Sequence, residues 1–170
     1  MTIPEFIDCY HLPPEIIECT FEEIEEKFLF SPKREEKWEC FKRMLDRMIS
    51  LGLKPEKILI NGSFVTGRSE PGDVDFAALI LPETIKEALA KAEDSHDREG
   101  ILRFLKSKNQ EMLRDLFGAH LLVADSEPVL TAWANTFMKG LNGKLREPNP
   151  KKDPEWVTRP EIKGILSVSL

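Results

Sequence analysis

Two short apolar runs, Ile58-Leu59-Ile60 and Asp73 to Ile80, flank a polar connection containing Gly62, Gly67 and the dipeptide Pro71-Gly72. Runs this short, rich in β-branched and apolar residues and bounded by turn residues, form buried strands rather than helices. A chain built around such a pair must contain a sheet, and the segments around it say what covers that sheet. Thr20 followed by Glu23 is a capping box, which predicts a short helix to about Phe28. Ser31-Pro32 predicts a second helix start, with Trp38, Phe41, Leu45 and Met48 on its inner face and Gly52 beyond its end.

Further on, Pro82 opens a predicted helix with Ile85, Ala88, Leu89 and Ala92 on one face. After a polar break at 94–98, a second amphipathic helix is expected to turn Ile101, Leu105, Met112 and Leu116 inward. His120 to Ala124 reads as a third strand. Ser126 precedes a helix presenting Leu130, Trp133, Phe137 and Leu141, and Lys163 to Leu170 reads as a last strand. Strands interleaved with helices place the chain in the α+β (α/β) class. At 170 residues it fits one domain. The expected layout is a single domain over 1–170, with an irregular and helical extension to about residue 52 and an arm plus strand from about residue 142.

Composition narrows the function classes. Hydrophobic residues make up 41% and charged residues 32%, as in an ordinary soluble globular protein. No window approaches the ~20 apolar residues of a membrane span. The first ten residues lack a basic start and an apolar stretch, so the expectation is a cytoplasmic protein without a signal peptide. Three cysteines, Cys9, Cys19 and Cys40, lie far apart with no CxxC pair, which predicts reduced, packed thiols. The net charge of −6 gives no basic footprint for gripping a nucleic-acid backbone. Charge is uneven, however. Residues 5–26 carry eight acids and no Lys or Arg, whereas residues 139–163 carry seven bases against four acids. The basic stretch is either solvated surface or a guide for an anionic nucleotide or RNA end.

The chemistry concentrates in Gly62-Ser63 and Asp73-Val74-Asp75. Side chains alternate along a strand, so Asp73 and Asp75 project from one face. Two carboxylates at that separation repel unless a cation neutralises them, and they offer the hard oxygens that Mg²⁺ (or Mn²⁺) takes alongside phosphate. Gly62 permits close backbone approach, and Ser63 offers a hydroxyl and an N–H at a predicted short helix start, a place that favours phosphate.

An apolar strand, Gly62-Ser63, a spacer of about ten residues and Asp73-Val74-Asp75 in a second strand together resemble the signature of the DNA polymerase β-type nucleotidyltransferase superfamily. Leu12-Pro13-Pro14, the capped helix at Thr20, Gly62-Ser63-Phe64-Val65-Thr66 and Lys163-Gly164-Ile165 are similar to short bacterial members of it, often paired with a toxin–antitoxin or phage-defence partner. The resemblance implies a nucleotidyltransferase-like mixed sheet flanked by helices, and transfer of a nucleoside monophosphate from an NTP to a hydroxyl on protein, RNA or a small molecule. It assigns the β- and γ-phosphates to Gly62 and Ser63 and two Mg²⁺ ions to Asp73 and Asp75. Arg68 is either a phosphate contact or a solvated loop residue. Active members carry a third carboxylate on a later strand, where this chain has His120, with Asp125 five residues on. His120 is thus a candidate general base or a packed histidine, and Asp125 a candidate third ligand on the opposite strand face. The alternative is a catalytically degenerate module that binds a protein partner. His11 and His96 carry no ligand spacing.

Overall fold

In a computed structural model, which describes residues 2–157 and 160–170, the chain forms an α+β fold: one five-stranded mixed sheet flanked by six helices. The strands are β1 (Ile16–Glu18), β2 (Lys57–Asn61), β3 (Val74–Leu79), β4 (Ala119–Ala124) and β5 (Ile165–Ser169), in spatial order β1-β5-β2-β3-β4. The helices are α1 (Phe21–Phe28), α2 (Pro32–Ser50), α3 (Pro82–Lys91), α4 (Ser95–Leu105), α5 (Gln110–Phe117) and α6 (Glu127–Lys139). β2 runs antiparallel to β3 and β5, while β1–β5 and β3–β4 are parallel pairs. Among the described residues no helix is long and apolar enough to cross a membrane.

Alternation along the central strands builds two cores. Ile58 and Ile60 of β2, Phe76 and Ala78 of β3 and Leu121 of β4 face a large cluster under α2, with Trp38, Phe41, Met44 and Met48 buried in it. Leu59, Ala77, Leu79 and Ala124 face the other way, against Leu130, Ala134 and Phe137 of α6. Asp75 shares the parity of Ala77 and Leu79, so it lies on the α6 side of the sheet, while Asp73 stands just before the first residue of β3. Helix α2 packs over β3 and β4, and α1 adds Ile24 and Phe28 to the same core, so both belong to the body of the fold.

Several expectations meet the structure closely. Both Thr20 hydrogen bonds of the capping box form, Ser31 caps α2, and Gly52 follows it at φ +86°. Others differ for local reasons. The segment expected to be irregular up to residue 19 contributes β1, three residues that pair with β5. The helix expected across 101–116 is two, because the turn at Ser107–Asn109 resets the helical phase. α5 then buries Leu113 and leaves Met112 and Leu116 in solvent. Leu141 lies past the end of α6 and is exposed for the same reason of phase. The arm expected across 142–160 holds one short 3₁₀ turn and no strand among its described residues; its Thr158 and Arg159 lie outside them. Cys40 is buried, but Cys9 is exposed, contrary to the expectation of packed thiols throughout.

Candidate functional site

The hairpin of β2 and β3 sets the site. Asn61, the last residue of β2, pairs with Asp75, and Asp75 pairs on its other side with His120 of β4. Gly62 follows with φ +82°, the left-handed region that favours glycine. A Cβ at this position would fall 2.1 Å from Asp75 Oδ2, so the carboxylate lies directly against the glycine backbone. Glycine is thus required here twice, for its dihedral and for the space that Asp75 fills. Ser63 to Val65 form a single 3₁₀ turn rather than a true helix, which is too short to carry a useful dipole. Any anion held there depends on individual N–H and O–H groups.

Each of the two aspartates has a basic side chain as its neighbour. Arg114 of α5 donates to Asp73 Oδ2 at 2.5 Å, and His120 Nδ1 lies 3.0 Å from Asp75 Oδ1. Burial, and next the charge of Asp75, pushes the Asp73 carboxyl above its ordinary value in spite of Arg114. The pair therefore repels as the alternating pattern requires. One oxygen of each carboxylate is engaged by these contacts, so a hard cation would have to use the other. That set fits one divalent ion completed by phosphate oxygens and water. It does not fit two. Among the described residues no group of three or more His, Cys, Asp or Glu is gathered to hold a metal.

Asp125 does not supply the missing ligand. β3 and β4 are parallel, His120 pairs with Asp75, and Ala124 pairs with Leu79, so Asp125 lies beyond the far end of the strand. Five residues of strand amount to roughly 16 Å. It is also exposed. Its assignment as a catalytic carboxylate is corrected by that geometry.

Gly62, Ser63 and Asp75 open onto a cavity of about 530 Å³, whose opposite wall is the arm that follows α6. The cations on that wall are Lys144, Arg146 and Lys163, with Arg68 from the loop after Gly62. Gly164 explains how Lys163 reaches it. A Cβ on Gly164 would fall 2.1 Å from Pro13 O, so the glycine lets the two segments touch and brings Lys163 beside His11. Among the described residues no hydrogen bond or ion pair to the Lys163 ammonium is found. Burial lowers its pKa to about 8, with Arg146 adding to the shift and Asp75 opposing it.

Arg68 is not the solvated loop residue that was one of its two expected roles. It is buried, and its Nε and Nη2 donate to Asp153 at 2.7 and 2.6 Å. Asp153 also accepts from Tyr10 Oη at 2.6 Å, Arg146 Nη1 at 3.2 Å and the Asn149 N–H at 2.9 Å. Burial alone would raise the Asp153 carboxyl, but these donors outweigh it and hold it well below the usual carboxylate range. The hub ties the arm to the loop that starts at the glycine turn, and Arg68 faces the cavity from it.

Two further residues escape a reading by spacing. Arg34 of α2, 0% exposed, donates to the carbonyls of Arg68 at 2.9 Å, Phe64 at 2.6 Å and Phe28 at 3.3 Å. It fastens the 63–68 loop from beneath. His11, which has no ligand spacing, is 1% exposed and lines the cavity, with Nδ1 held 2.7 Å from Asp8 Oδ2. The Asp8 side chain also accepts the backbone N–H of Tyr10 and of His11, and this Asp-x-x-His turn is the one signal that could have marked the histidine.

These features define an α+β protein whose mixed sheet carries an acidic pair and a glycine turn at the mouth of a cation-lined cavity. The chain belongs to the family of unknown function DUF6932, whose model matches residues 4–152. That span holds Gly62, Asp73, Asp75 and His120 and ends before Asp153, Trp156 and Lys163. No curated protein and no solved structure matches the chain.

Proposed function

We propose that this chain is a nucleotidyltransferase of the DNA polymerase β type, moving a nucleoside monophosphate from an NTP to a hydroxyl acceptor. The observation that carries this reading is the contact of Asp75 with the Gly62 backbone at the mouth of the cavity that Ser63 and Lys163 also line. This contact supports the reading, because a metal-binding carboxylate and a phosphate-binding turn have to be neighbours.

In this reading Asp73 and Asp75 hold one Mg²⁺ or Mn²⁺ together with the triphosphate. When bound, that ion neutralises charge developing on the phosphates and helps orient them. Gly62 and Ser63 offer N–H and O–H groups to the phosphates, and Lys163 and the cavity face of Arg68 offset their charge. The acceptor oxygen attacks the α-phosphorus, the bond to pyrophosphate breaks, and the acceptor proton passes to His120. The Nδ1–H of His120 is held by Asp75, which leaves Nε2 free to take that proton. The acceptor is a hydroxyl on protein, RNA or a small molecule.

A second reading has its own support. Arg114 already pairs with Asp73 and His120 lies against Asp75, and among the described residues no third carboxylate is gathered with them. This favours a module that has lost catalysis and acts through a protein partner, such as the other half of a toxin–antitoxin or defence pair.

Thermal shift with ATP, CTP, GTP and UTP, with and without Mg²⁺ or Mn²⁺, separates the two. A ligand at about 100 times its Kd adds about 2.7 kcal/mol, roughly 5–10 °C for a chain of this length. The enzyme reading expects a shift that requires metal and is lost in Asp75→Asn, together with label transfer from an α-phosphate-labelled NTP. A shift without transfer favours the binding module. No shift with any nucleotide, or full transfer by Asp75→Asn, ends the assignment of the site.

A further inference from the structure

Buried polar atoms without a partner are uncommon in native proteins, and each calls for an explanation. Among the described residues five side-chain atoms are in this state, and three of them belong to residues that line the one cavity beside Asp75: His11 Nε2, Asn61 Oδ1 and Trp156 Nε1. A concentration of this kind marks a place where something else completes the bonding.

The chemistry of the missing partner can be read from the three atoms. Trp156 Nε1–H only donates. Asp8 accepts the proton on His11 Nδ1, so the neutral ring presents a lone pair at Nε2. Burial lowers the pKa of His11, with Lys163 and Arg146 acting in the same direction against Asp8, which keeps that ring neutral. Asn61 Oδ1 accepts. A ligand that satisfies the set must both donate and accept, within reach of the Lys163 ammonium.

The aromatic surroundings hold the set in place. The Trp156 ring stacks on Tyr10 with centroids 5.0 Å apart, and it meets the edge of His11 at 4.8 Å. Arg146 lies over the same Trp156 ring at 4.9 Å. Trp156 comes from the arm, so the fold brings a donor from one end of the chain to an acceptor at the other.

We propose that His11, Asn61 and Trp156 form a reading subsite for the nucleoside part of the nucleotide, hydrogen-bonding its sugar hydroxyls or the amino edge of its base while Lys163 holds phosphate. This rests on the nucleotide reading of the same cavity and adds to it a group of residues that discriminate the nucleoside from bare phosphate. A sugar hydroxyl both donates and accepts, and so does the edge of a base where an amino group lies beside a ring nitrogen; experiment distinguishes the two.

The test is titration calorimetry of the full chain in Mg²⁺ with tripolyphosphate, ATP, CTP and 2′-deoxyATP. Nucleotides are expected to bind at least tenfold more tightly than tripolyphosphate. Trp156→Phe keeps the ring and removes the donor; it should weaken nucleotides roughly three- to tenfold, the worth of one hydrogen bond, and leave tripolyphosphate unchanged. His11→Phe should do the same. If its melting temperature shows that it does not fold, the Trp156→Phe series decides alone. A deficit of 2′-deoxyATP that vanishes in His11→Phe assigns the donor to the sugar, and an ATP–CTP difference that vanishes there assigns it to the base. Tripolyphosphate binding as tightly as the nucleotides, or Trp156→Phe weakening both equally, overturns the subsite while leaving the phosphate site intact. Failure of every anion to bind overturns the nucleotide reading as well.

Discussion

Lys163 sits one residue before Gly164, and the close contact of that glycine with Pro13 fixes where its ammonium goes. The residue gives the site a pH dependence with a definite sign. Its folded pKa of about 8 lies below the ordinary lysine value of 10.5, so the folded chain holds this proton less firmly than the unfolded chain does. Fold stability therefore gains from this residue as pH rises from about 8 to about 10.5, and the cost of burying the charge is fully present below pH 8. In the nucleotide reading, anion binding slopes the other way, because it needs the ammonium. The affinity ratio of wild type to Lys163→Met for tripolyphosphate cancels the ionisation of the ligand itself. That ratio is expected to fall roughly tenfold between pH 7 and pH 9, since the free amine predominates at the upper value. A flat ratio, read by calorimetry, would remove Lys163 from the phosphate site.

At the scale of elements, the 63–68 loop illustrates what a pattern in sequence leaves out. Arg34 reads as one more charged residue in the first turn of a capped helix, and arginine is almost never fully buried without partners. Here its partners are backbone carbonyls of a loop thirty residues away, a relation that no periodicity carries. Burial lowers its pKa to about 10, which still leaves it charged at neutral pH. Arg34→Gln should therefore destabilise the chain by about 3 kcal/mol or more, because carbonyls ordered by the guanidinium lose their donor. Urea unfolding measures this, and a loss below about 1 kcal/mol would mean that the loop holds itself. The elements that were legible share a different property: their signals are local. The capping box at Thr20, Pro32 at a helix start and the β-branched run before Gly62 act within a few residues. The three-residue β1 has no such signal, since it exists only through pairing with β5. The break at Ser107–Asn109 was equally hidden, because the apolar spacing on each side of it is helical.

For the molecule as a whole, the sequence shows which residues of the acidic half of the candidate site lie together, whereas it offers the basic half only as Arg68 and a basic stretch over 139–163 with no place in the fold. Asp73, Asp75, Gly62 and Ser63 lie within one hairpin, so strand alternation and turn chemistry bring them together. Lys163, Asp153, Trp156 and His11 converge from the two ends of the chain, and Asp125 was misplaced because the parallel pairing of β3 and β4 was not available from spacing. The same architecture predicts a conflict between stability and function. Asp73 is buried beside Asp75, its carboxyl is pushed upward by that burial and by its neighbour's charge, and Arg114 offsets this only in part. A carboxyl raised in the folded state costs stability at neutral pH, and this cost disappears as pH falls through its folded value. Replacing it with a neutral isostere should relieve the repulsion, while Arg114, half exposed, returns to water at little cost. Asp73→Asn is therefore expected to melt about 2–4 °C above wild type at pH 7 without ligand, for a gain of about 1 kcal/mol. Under acid the difference should shrink, because protonation gives the wild type the same relief. With Mg²⁺ and nucleotide the order should reverse, since only the wild type is stabilised by binding. Calorimetric melts of both proteins, with and without ligand, measure all of this. If Asp73→Asn melts below wild type without ligand, the aspartate pair is a structural ion-pair network held by Arg114, and its reading as a site poised for a cation fails.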